Sequence, residues 1–470
     1  PDDWFDPSDG LYANPREQGK KTEIPGSLEL INPDGTEGFQ VNAGIRIRGG
    51  DSSTSRNPKH AYRLFFRSEY GDAKLKYPLF GNEGVDEFDK IDLRTSQNHS
   101  WAFENSRRNT FLRDIFCRDL QGKSGHHFTK SRYYHIYMNG MYWGIFMTQE
   151  RAEGRFGASY FGGKPEDYDV IKAMGWMKPT EVTDGTLELY RELFERTLDW
   201  SGDNKDYFAL LGLKPDGSRD PYGKTLVDAD NLIDYMLVIF YGGNYDAPVS
   251  AWGQNFGPNN WYGIRNRNSR DGFRFFAWDA EHTFRDVRED RTGPFPAGES
   301  YSGSNPQWIW QQCLENEEFR IRAGDRIQKH FFNDGVLTAK SVQRRFQARA
   351  KAIESAVVCE SARWGDSSQT PSGGAASRER RPRSRDDDWI HEINRLAHEY
   401  FPARSEIVLA QLYSHGIISD MPPPEFKRAT DNSRSIQITS SQGVVYYTTD
   451  GSDPRRIGGA VDPKAKMHEG

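Results

Sequence analysis

Cysteine and long apolar runs are scarce in this 470-residue sequence. The three cysteines are far apart, and no CxxC pair or Cys/His cluster has the spacing of zinc ligands. Cys117 lies inside an amphipathic helical pattern, so a buried thiol is predicted there. No stretch approaches the roughly 20 apolar residues of a transmembrane helix, so no membrane span is predicted.

A strong excess of one charge is also absent. The formal net charge is −6, and acidic and basic residues are mixed along the chain. This balance gives no electrostatic footprint for nucleic acid or an anionic membrane, so neither is an expected partner. Aromatic side chains are abundant, at 13% of residues, and there are 45 glycines and 24 prolines. Such a chain is predicted to form more than one domain, with a sizeable core and many loops.

Alternating and helical patterns both occur, which favours an α+β fold. The segment FQVNAGIRIRGG (39–50) alternates apolar and polar positions like a half-buried strand. Two aromatic-rich strands meet at Asn139-Gly140, the strongest short signal for a β-hairpin. The segment DNLIDYMLVIF (230–240) repeats apolar residues at the spacing of a buried helix face, and Gly242-Gly243 ends it.

Two segments are predicted to lie outside the main core. Residues 365–388 are small, polar and charged without periodicity, and we predict a flexible loop there. The proline-rich MPPPEF (421–426) is typical of a linker and places a boundary near residue 420. The predicted domains are therefore 1–420 and 421–470. The sequence starts at Pro1 with no leader pattern, and we expect a signal peptide to have been removed.

The first candidate site is a loop rich in glycine and serine that follows a strand. In GIRIRGGDSSTSRNPKHAYRL, Gly49 and Gly50 would let backbone N–H groups approach a phosphate, and Lys59 or Arg63 would neutralise its charge. The Walker A pattern GxxxxGK[ST] is absent. The alternative is an ordinary hairpin loop with a solvated Lys59, and these residues by themselves favour it.

The second candidate is the loop that follows the apolar helix. In YGGNYDAPVSAWGQN (241–255), Asp246 would face a cleft as a general base, and Asn244 would orient it. Asn255 offers a carbonyl oxygen suited to Mg²⁺. The alternative is a plain turn, because Asn and Asp are residues that turns prefer.

The third candidate is FRFFAWDAEHTF (273–284), a buried strand that ends in two acids. Asp279 and Glu281 are expected on the same face, because side chains alternate along a strand. Two such carboxylates repel each other unless a cation lies between them, which favours a metal pair. Salt bridges to Arg274 or Arg285 are the alternative.

These three elements follow the order in which a protein kinase presents its parts. A glycine loop with a basic strand comes first, then an acid-and-amide loop, then acids at a strand end. The spacing differs from that of an ordinary kinase, since Asn255 follows Asp246 by nine positions and the HRD and DFG motifs are absent.

Four stretches resemble the spore-coat protein H (CotH) kinase family: GIRIRGGDSSTSRNPKHAYRLFFR, YHIYMNGMYWGIFMTQERAEGRFGASYFGG, GGNYDAPVSAWGQN and FFAWDAEHTF. The resemblance extends over about residues 10–415. Family members are atypical, often extracytoplasmic kinases that phosphorylate Ser or Thr. The resemblance therefore implies a two-lobed kinase-like fold, ATP and Mg²⁺ as cofactors, and a protein substrate with Ser or Thr acceptors. It also implies an extracellular or cell-surface location in a bacterium.

The same resemblance implies a role for individual residues. Lys59 would lie near the phosphates, and Glu150 would lie at the nucleotide cleft. Asp246 would be the catalytic base, and Asn255 and Asp279 would be metal ligands.

The match also leaves other functions open. The family commonly has W-D-x-D where this sequence has WDAE (278–281), so the longer Glu281 would replace the second Asp and change its reach. A catalytically inactive surface adhesin or scaffold with the same fold is one alternative. A wall-polysaccharide-binding protein is the other.

The C-terminal segment GVVYYTTDGSDPR (443–455) resembles a second family. It is similar to the small β-sandwich module found at the C-terminus of chitobiases and hexosaminidases. We expect a partial module in which Tyr446, Tyr447 and Asp450 form a hairpin and its turn. A polysaccharide partner for this tail is an additional prediction.

Overall fold

The computed structural model describes residues 2–173, 175, 178–367, 381–418, 421–422, 424–428 and 435–468. The chain divides into two compact units. Unit 1 comprises Pro1–Asp119, His127–Gly162 and Phe346–His398. Unit 2 comprises Leu120–His126, Gly163–Arg345 and Glu399–Gly470.

Helices occur in both units. The α-helices are α1 (Asp2–Phe5), α2 (Trp101–Glu104), α3 (Arg113–Lys123), α4 (Gly154–Phe161), α5 (Glu188–Leu198), α6 (Asn204–Leu210), α7 (Ala229–Gly242), α8 (Pro306–Cys313), α9 (Glu317–Phe331), α10 (Ala339–Ile353), α11 (Ala356–Trp364), α12 (Ile390–Arg395) and α13 (Phe401–Ser414). Together with the strands they confirm the predicted α+β class.

Most strands belong to two antiparallel sheets, and the others form short pairs. The strands are β1 (Ile24–Leu30), β2 (Phe39–Arg48), β3 (Ala61–Phe65), β4 (Leu75–Lys76), β5 (Glu87–Phe88), β6 (Lys90–Arg94), β7 (Tyr133–Met138), β8 (Met141–Gln149), β9 (Tyr168–Ala173), β10 (Glu181–Asp184), β11 (Val249–Ser250), β12 (Gly257–Pro258), β13 (Trp261–Asn266), β14 (Arg274–Ala277), β15 (Glu425–Arg428), β16 (Ile436–Thr439), β17 (Tyr446–Tyr447) and β18 (Lys466–Met467).

Unit 1 is built on a six-stranded sheet in the order β1-β2-β3-β6-β8-β7. Alternation along β2 turns four apolar side chains to one face, where they join the buried core: Val41, Ala43, Ile45 and Ile47. Helix α11 adds Trp364 to this core, and its indole N–H donates to Trp143 O at 2.7 Å. The half-buried strand predicted for 39–50 is confirmed as β2.

The predicted hairpin is also present in unit 1. Strands β7 and β8 pair across Asn139-Gly140, whose φ angles of 48° and 81° both lie in the left-handed region that such a turn requires. The register shifts along this pair, because Ile136 lies opposite Gly144 while Tyr137 lies opposite Tyr142. The extra residue makes a β-bulge, and Gly144 takes a φ of 120° within it.

Unit 2 contains a four-stranded sheet in the order β10-β9-β13-β14, with α7 packed against β14. Every residue of α7 except Asp230 is buried, so this helix is buried on all sides rather than on one face. Gly243 ends the helix in the left-handed conformation, with a φ of 52°, as the Gly242-Gly243 pair predicted.

Two amide side chains hold the outer edge of β14. Gln121 Nε2 donates to Phe275 O at 2.6 Å, and its Oε1 accepts from Ala277 N at 2.9 Å. Asn231 Oδ1 accepts from Phe275 N at 2.5 Å. An edge strand would otherwise leave these backbone groups without partners. The end of β14 is therefore held by β13 on one side and by the side chains of Gln121 and Asn231 on the other.

The flexible loop predicted for residues 365–388 extends too far at its C-terminal end, where the structure has ordered backbone. Residues 385–389 form a turn of π-helix, and the buried Arg383 pairs with the buried Asp388 at 3.2 Å. This ion pair fixes the backbone that the polar composition suggested was flexible. The remaining part of the predicted loop, 368–380, lies outside the described residues.

The tail beyond residue 420 is grouped with unit 2 rather than forming a unit of its own. Arg455 forms a double ion pair with Glu318 on α9, at 2.7 and 3.0 Å. The described part contains two two-stranded sheets, β15–β16 and β17–β18, and the predicted sandwich is not confirmed. Asp450 accepts from Ser452 N at 3.0 Å in the turn after β17.

Cys117 is buried, as predicted. Each helix among the described residues is too short or too polar to span a bilayer.

Candidate active site

The loop after α7 in unit 2 places an aspartate between several amide and hydroxyl groups. Asn244 is buried, and its Oδ1 accepts from the backbone N–H of Asp246 at 3.1 Å. Asn244 therefore fixes the backbone at Asp246 rather than the carboxylate. Ser250 Oγ donates to Asp246 Oδ1 at 2.5 Å, and Asn260 Nδ2 donates to Oδ2 at 3.0 Å. The carboxylate is thus held in one orientation.

The pKa of Asp246 is raised above its ordinary value. Burial is the largest cause, and the negative charge of Asp279 adds to it. Hydrogen bonds from Ser250 and Asn259 and the charge of Arg291 act in the opposite direction. A carboxylate with a raised pKa is a better proton acceptor near neutral pH.

Asp279 follows β14 and takes a left-handed backbone conformation, with a φ of 50°. Residues Ala280–His282 then form a 3-10 turn in which Glu281 is buried. The expectation that Asp279 and Glu281 share a face through strand alternation is wrong, because β14 ends at Ala277 and the chain turns at Asp279.

Backbone hydrogen bonds join the two acid-bearing segments. Tyr245 N donates to His282 O at 3.2 Å, and Phe284 N donates to Gly242 O at 2.8 Å. These bonds hold the residue before Asp246 beside the turn that contains Asp279. The two carboxylates are therefore brought together, as the electrostatic effect of Asp279 on Asp246 also indicates.

Asn255 does not extend this pair in the way that was expected. Its Oδ1 accepts from Arg291 Nη1 at 2.9 Å, and Arg291 Nη2 also donates to Val249 O at 2.7 Å. The predicted metal-binding oxygen is thus paired with a buried guanidinium, which argues against Asn255 as a magnesium ligand. The amides beside Asp246 are Asn259 and Asn260, neither of which was identified from the sequence.

In unit 1, Lys59 is buried and has a carboxylate partner. Its side chain is 2% exposed, and Nζ donates to Glu360 Oε1 at 2.6 Å and to Ile145 O at 3.0 Å. Burial lowers the pKa of Lys59, whereas Glu360 opposes this effect. The solvated Lys59 of the alternative interpretation is therefore excluded. Glu360, on α11, was not identified from the sequence.

The bulge of β8 makes room for this ion pair. Ile145 N donates to Glu360 Oε2 at 2.7 Å, so Glu360 binds both Lys59 and the backbone. A Cβ placed on Gly144 would lie 2.5 Å from Glu360 Oε2 and 2.8 Å from Lys59 Nζ. Glycine at this position is required by both the space and its φ of 120°.

The other predicted nucleotide-binding residues have partners of their own in unit 1. Arg63 Nε donates to the buried Asp92 at 2.6 Å, so it is paired with an acid rather than solvated. Gly49 takes a φ of 141°, which suits a residue without a side chain. Gly50 precedes a 3-10 turn, so both glycines do lie in a loop after β2.

Glu150 is a buried carboxylate and does not face open space. Its Oε1 accepts from Tyr160 OH at 2.6 Å and its Oε2 from Lys130 N at 2.8 Å. Burial raises the pKa of Glu150. These contacts fix the carboxylate of Glu150 in unit 1, and its place at a nucleotide cleft stays a prediction.

A family model described as CotH kinase protein matches residues 45–407. The match covers Lys59, Asp246 and Asp279 and leaves the tail outside. The chain belongs to the CotH kinase protein family. No curated protein matches the sequence.

Membership of the CotH kinase family suggests the use of ATP and a divalent metal, and the donor set in unit 2 fits such an ion. Among the described residues, no three His, Cys, Asp or Glu side chains gather as a metal-binding cluster. Mg²⁺, however, is usually held by one or two carboxylates with substrate phosphates and water. Asp246 and Asp279 supply hard oxygen ligands, and the repulsion between them is what a cation would relieve.

Proposed function

We propose that this CotH family protein is an ATP- and Mg²⁺-dependent kinase that phosphorylates Ser or Thr side chains of a protein substrate. The observation that carries the proposal is the pair of acids in unit 2, one of which, Asp246, has a raised pKa and a fixed orientation. Family membership supports the reaction class. An extracellular or cell-surface location and a bacterial source are also part of the proposal.

In this reaction Asp246 accepts the proton of the acceptor hydroxyl. The hydroxyl oxygen forms a bond to the γ-phosphorus of ATP while the bond from that phosphorus to the bridging oxygen breaks, and ADP leaves. Mg²⁺, held by Asp279, would neutralise charge on the phosphates. Ser250 and Asn260 keep the carboxylate of Asp246 oriented toward its task.

Lys59 and Glu360 are proposed to form the lysine–glutamate ion pair of this kinase. The pair in unit 1 is buried, with a distance of 2.6 Å between Nζ and Oε1. In protein kinases a lysine that neutralises phosphates is held by a glutamate in this way. Support for this role comes from the family match and from the chemistry of the pair.

The first experiment measures thermal unfolding with ATP, with Mg²⁺ and with both. A ligand that binds only the folded state, at about 100 times its Kd, adds about 2.7 kcal/mol to the free energy of unfolding. We expect stabilisation that needs both ligands and is lost in Asp279→Asn. Glu299→Gln, which changes an exposed acid of unit 2, is the matched control and keeps it.

The second experiment follows transfer of labelled phosphate to the protein itself and to Ser-containing peptides. Asp246→Asn is expected to lower the rate by about 10²–10⁴-fold, the range for loss of a general base. Full transfer by this variant would contradict the assignment of the base. Absence of nucleotide stabilisation in the unmodified protein would favour the inactive adhesin or scaffold instead.

A further inference from the structure

An exposed aromatic group lies next to Asp246 in unit 2. Of the tryptophans that the structure describes, Trp252 alone is exposed, with 51% of its surface accessible. Phe256, four residues later, is 64% exposed. Large apolar side chains that stay exposed together often mark a binding surface rather than a packing defect. Both belong to the segment between α7 and β12 that carries Asp246, so this segment presents two exposed aromatic side chains at the candidate site.

The exposed indole is held in place by its neighbours. Its ring centroid lies 4.9 Å from that of Tyr245 at an angle of 70°, and 5.7 Å from that of His282. The guanidinium of Arg285 lies 4.7 Å from the Tyr245 ring and 5.4 Å from the Trp252 ring. We call Tyr245, Trp252 and Arg285 the aromatic platform. A platform fixed in this way loses little entropy when a ligand binds.

The platform is continuous with the acid pair. Tyr245 directly precedes Asp246, and its carbonyl accepts from Ala251 N at 2.9 Å, which closes the loop. Ser250, the donor to Asp246 Oδ1, lies two positions before Trp252. A chain whose hydroxyl reaches Asp246 would therefore place its neighbouring residues against the platform.

Arg285 adds a polar group to this surface. Its Nη1 is buried and has no hydrogen-bond partner among the residues that the structure describes. A guanidinium stacked on aromatic rings remains a donor for a carbonyl or carboxylate oxygen. The platform thus combines an apolar face with a hydrogen-bond donor. An extended peptide has the complementary groups, because it carries apolar side chains and backbone carbonyl oxygens.

We propose that the aromatic platform binds the acceptor segment of the protein substrate and selects a large apolar residue next to the phosphorylated Ser or Thr. This inference rests on the proposed kinase function and names its substrate class. Trp252 makes the apolar contact, and Arg285 both stacks on the indole and offers Nη1 to a carbonyl oxygen of the bound peptide. Asp246, rather than the platform, makes contact with the reacting hydroxyl.

The test uses the full chain, ATP with Mg²⁺, and a library of Ser peptides with randomised flanking positions. The unmodified protein is expected to favour peptides with Phe, Trp or Leu beside the Ser over matched Ala peptides. Loss of one aromatic contact at a binding hot spot typically costs tenfold or more in affinity, so Trp252→Ala should raise KM for preferred peptides about tenfold and abolish the preference. Trp252→Phe should restore most of the preference.

Tyr222→Ala is the matched control, because Tyr222 is another aromatic residue of unit 2 and is 93% exposed. It should leave the peptide preference unchanged. A Trp252→Ala variant that keeps the preference, or that loses stabilisation by ATP with Mg²⁺ instead, would overturn the inference. Transfer to the protein itself without any peptide preference would also overturn it while leaving the kinase function intact. Absence of both transfer and nucleotide stabilisation would refute the proposed function and the inference with it.

Discussion

Removal of the Lys59 side-chain charge is expected to destabilise unit 1 strongly. Lys59→Met leaves the carboxylate of Glu360, whose side chain is 3% exposed, with the Ile145 N–H as its one remaining hydrogen-bond donor among the described residues. Breaking a buried ion pair from one side typically costs about 3–5 kcal/mol. We expect Lys59→Met and Glu360→Leu each to lower the free energy of unfolding by an amount in that range.

The double variant distinguishes the contribution of the ion pair to stability from the contribution of side-chain packing. If the two side chains acted independently, Lys59→Met with Glu360→Leu would cost about 6–10 kcal/mol, twice the single cost. Without either charge, the remaining cost comes from the N–H and C=O of Ile145, which lose their side-chain partners. That cost is about 1–3 kcal/mol for each unpaired group, so we expect the free energy of unfolding of the double variant to be lower by about 2–6 kcal/mol.

Guanidinium unfolding, followed by tryptophan fluorescence, measures these differences through the transition midpoint. Lys351→Met is the matched control, because the pair of Lys351 with Glu354 is at the surface, with the lysine 82% exposed. An exposed pair of this kind is worth about 0–1 kcal/mol. Single variants that lose less than the control, or additive losses in the double variant, would refute the reasoning.

Three further predictions concern the backbone and the acid pair. Gly144→Ala should lower the melting temperature and weaken nucleotide stabilisation, because its Cβ would meet Glu360 at 2.5 Å; an unchanged melting curve would contradict this. Burial raises the pKa of Asp246, so its contribution to stability is fully present below the unfolded pKa and is lost as pH rises through the folded pKa. In metal-free buffer Asp246→Asn should therefore melt higher than the unmodified protein at pH 7, and this gain should shrink as pH is lowered; a gain independent of pH would argue against the raised pKa. Gln121→Ala should lower the free energy of unfolding by about 1–3 kcal/mol, because it leaves Phe275 O and Ala277 N without this partner. The rate of hydrogen exchange at the Ala277 amide should rise, and an unchanged slow rate would contradict the role of Gln121.

Local patterns predicted the local structure well. The Asn139-Gly140 turn forms because both residues tolerate positive φ. The run before Gly242 forms α7 because its apolar residues repeat at helical spacing, and the one acid buried inside it, Asp234, is paired with Arg326. The amphipathic helical pattern around Cys117 forms α3, which begins at Arg113. Phe111 has a φ of 62°, and its N–H is bound by the side chain of Asn109, so the chain turns before the helix can start.

The partners of the site residues could not be predicted in the same way. Lys59 and Glu360 are 301 positions apart, and no local pattern connects them. Asn255 was assigned a metal from its residue type, yet its oxygen is used by Arg291, which lies in a different loop. Residue type indicates what chemistry a side chain can do, whereas the tertiary fold decides which partner it has. The amides beside Asp246 were overlooked because NN before a strand is a common turn pattern.

The distance along the chain between Lys59 and Glu360 has a consequence for synthesis. Translation at 5–20 residues per second needs about 15–60 s to pass from one residue to the other. Once β8 has been made, the six-stranded sheet of unit 1 is complete for the rest of this interval without α11, and Lys59 lacks its partner Glu360. Nascent chains stalled before residue 346 should therefore be sensitive to protease and bound by chaperones, and this sensitivity should end once α11 has emerged.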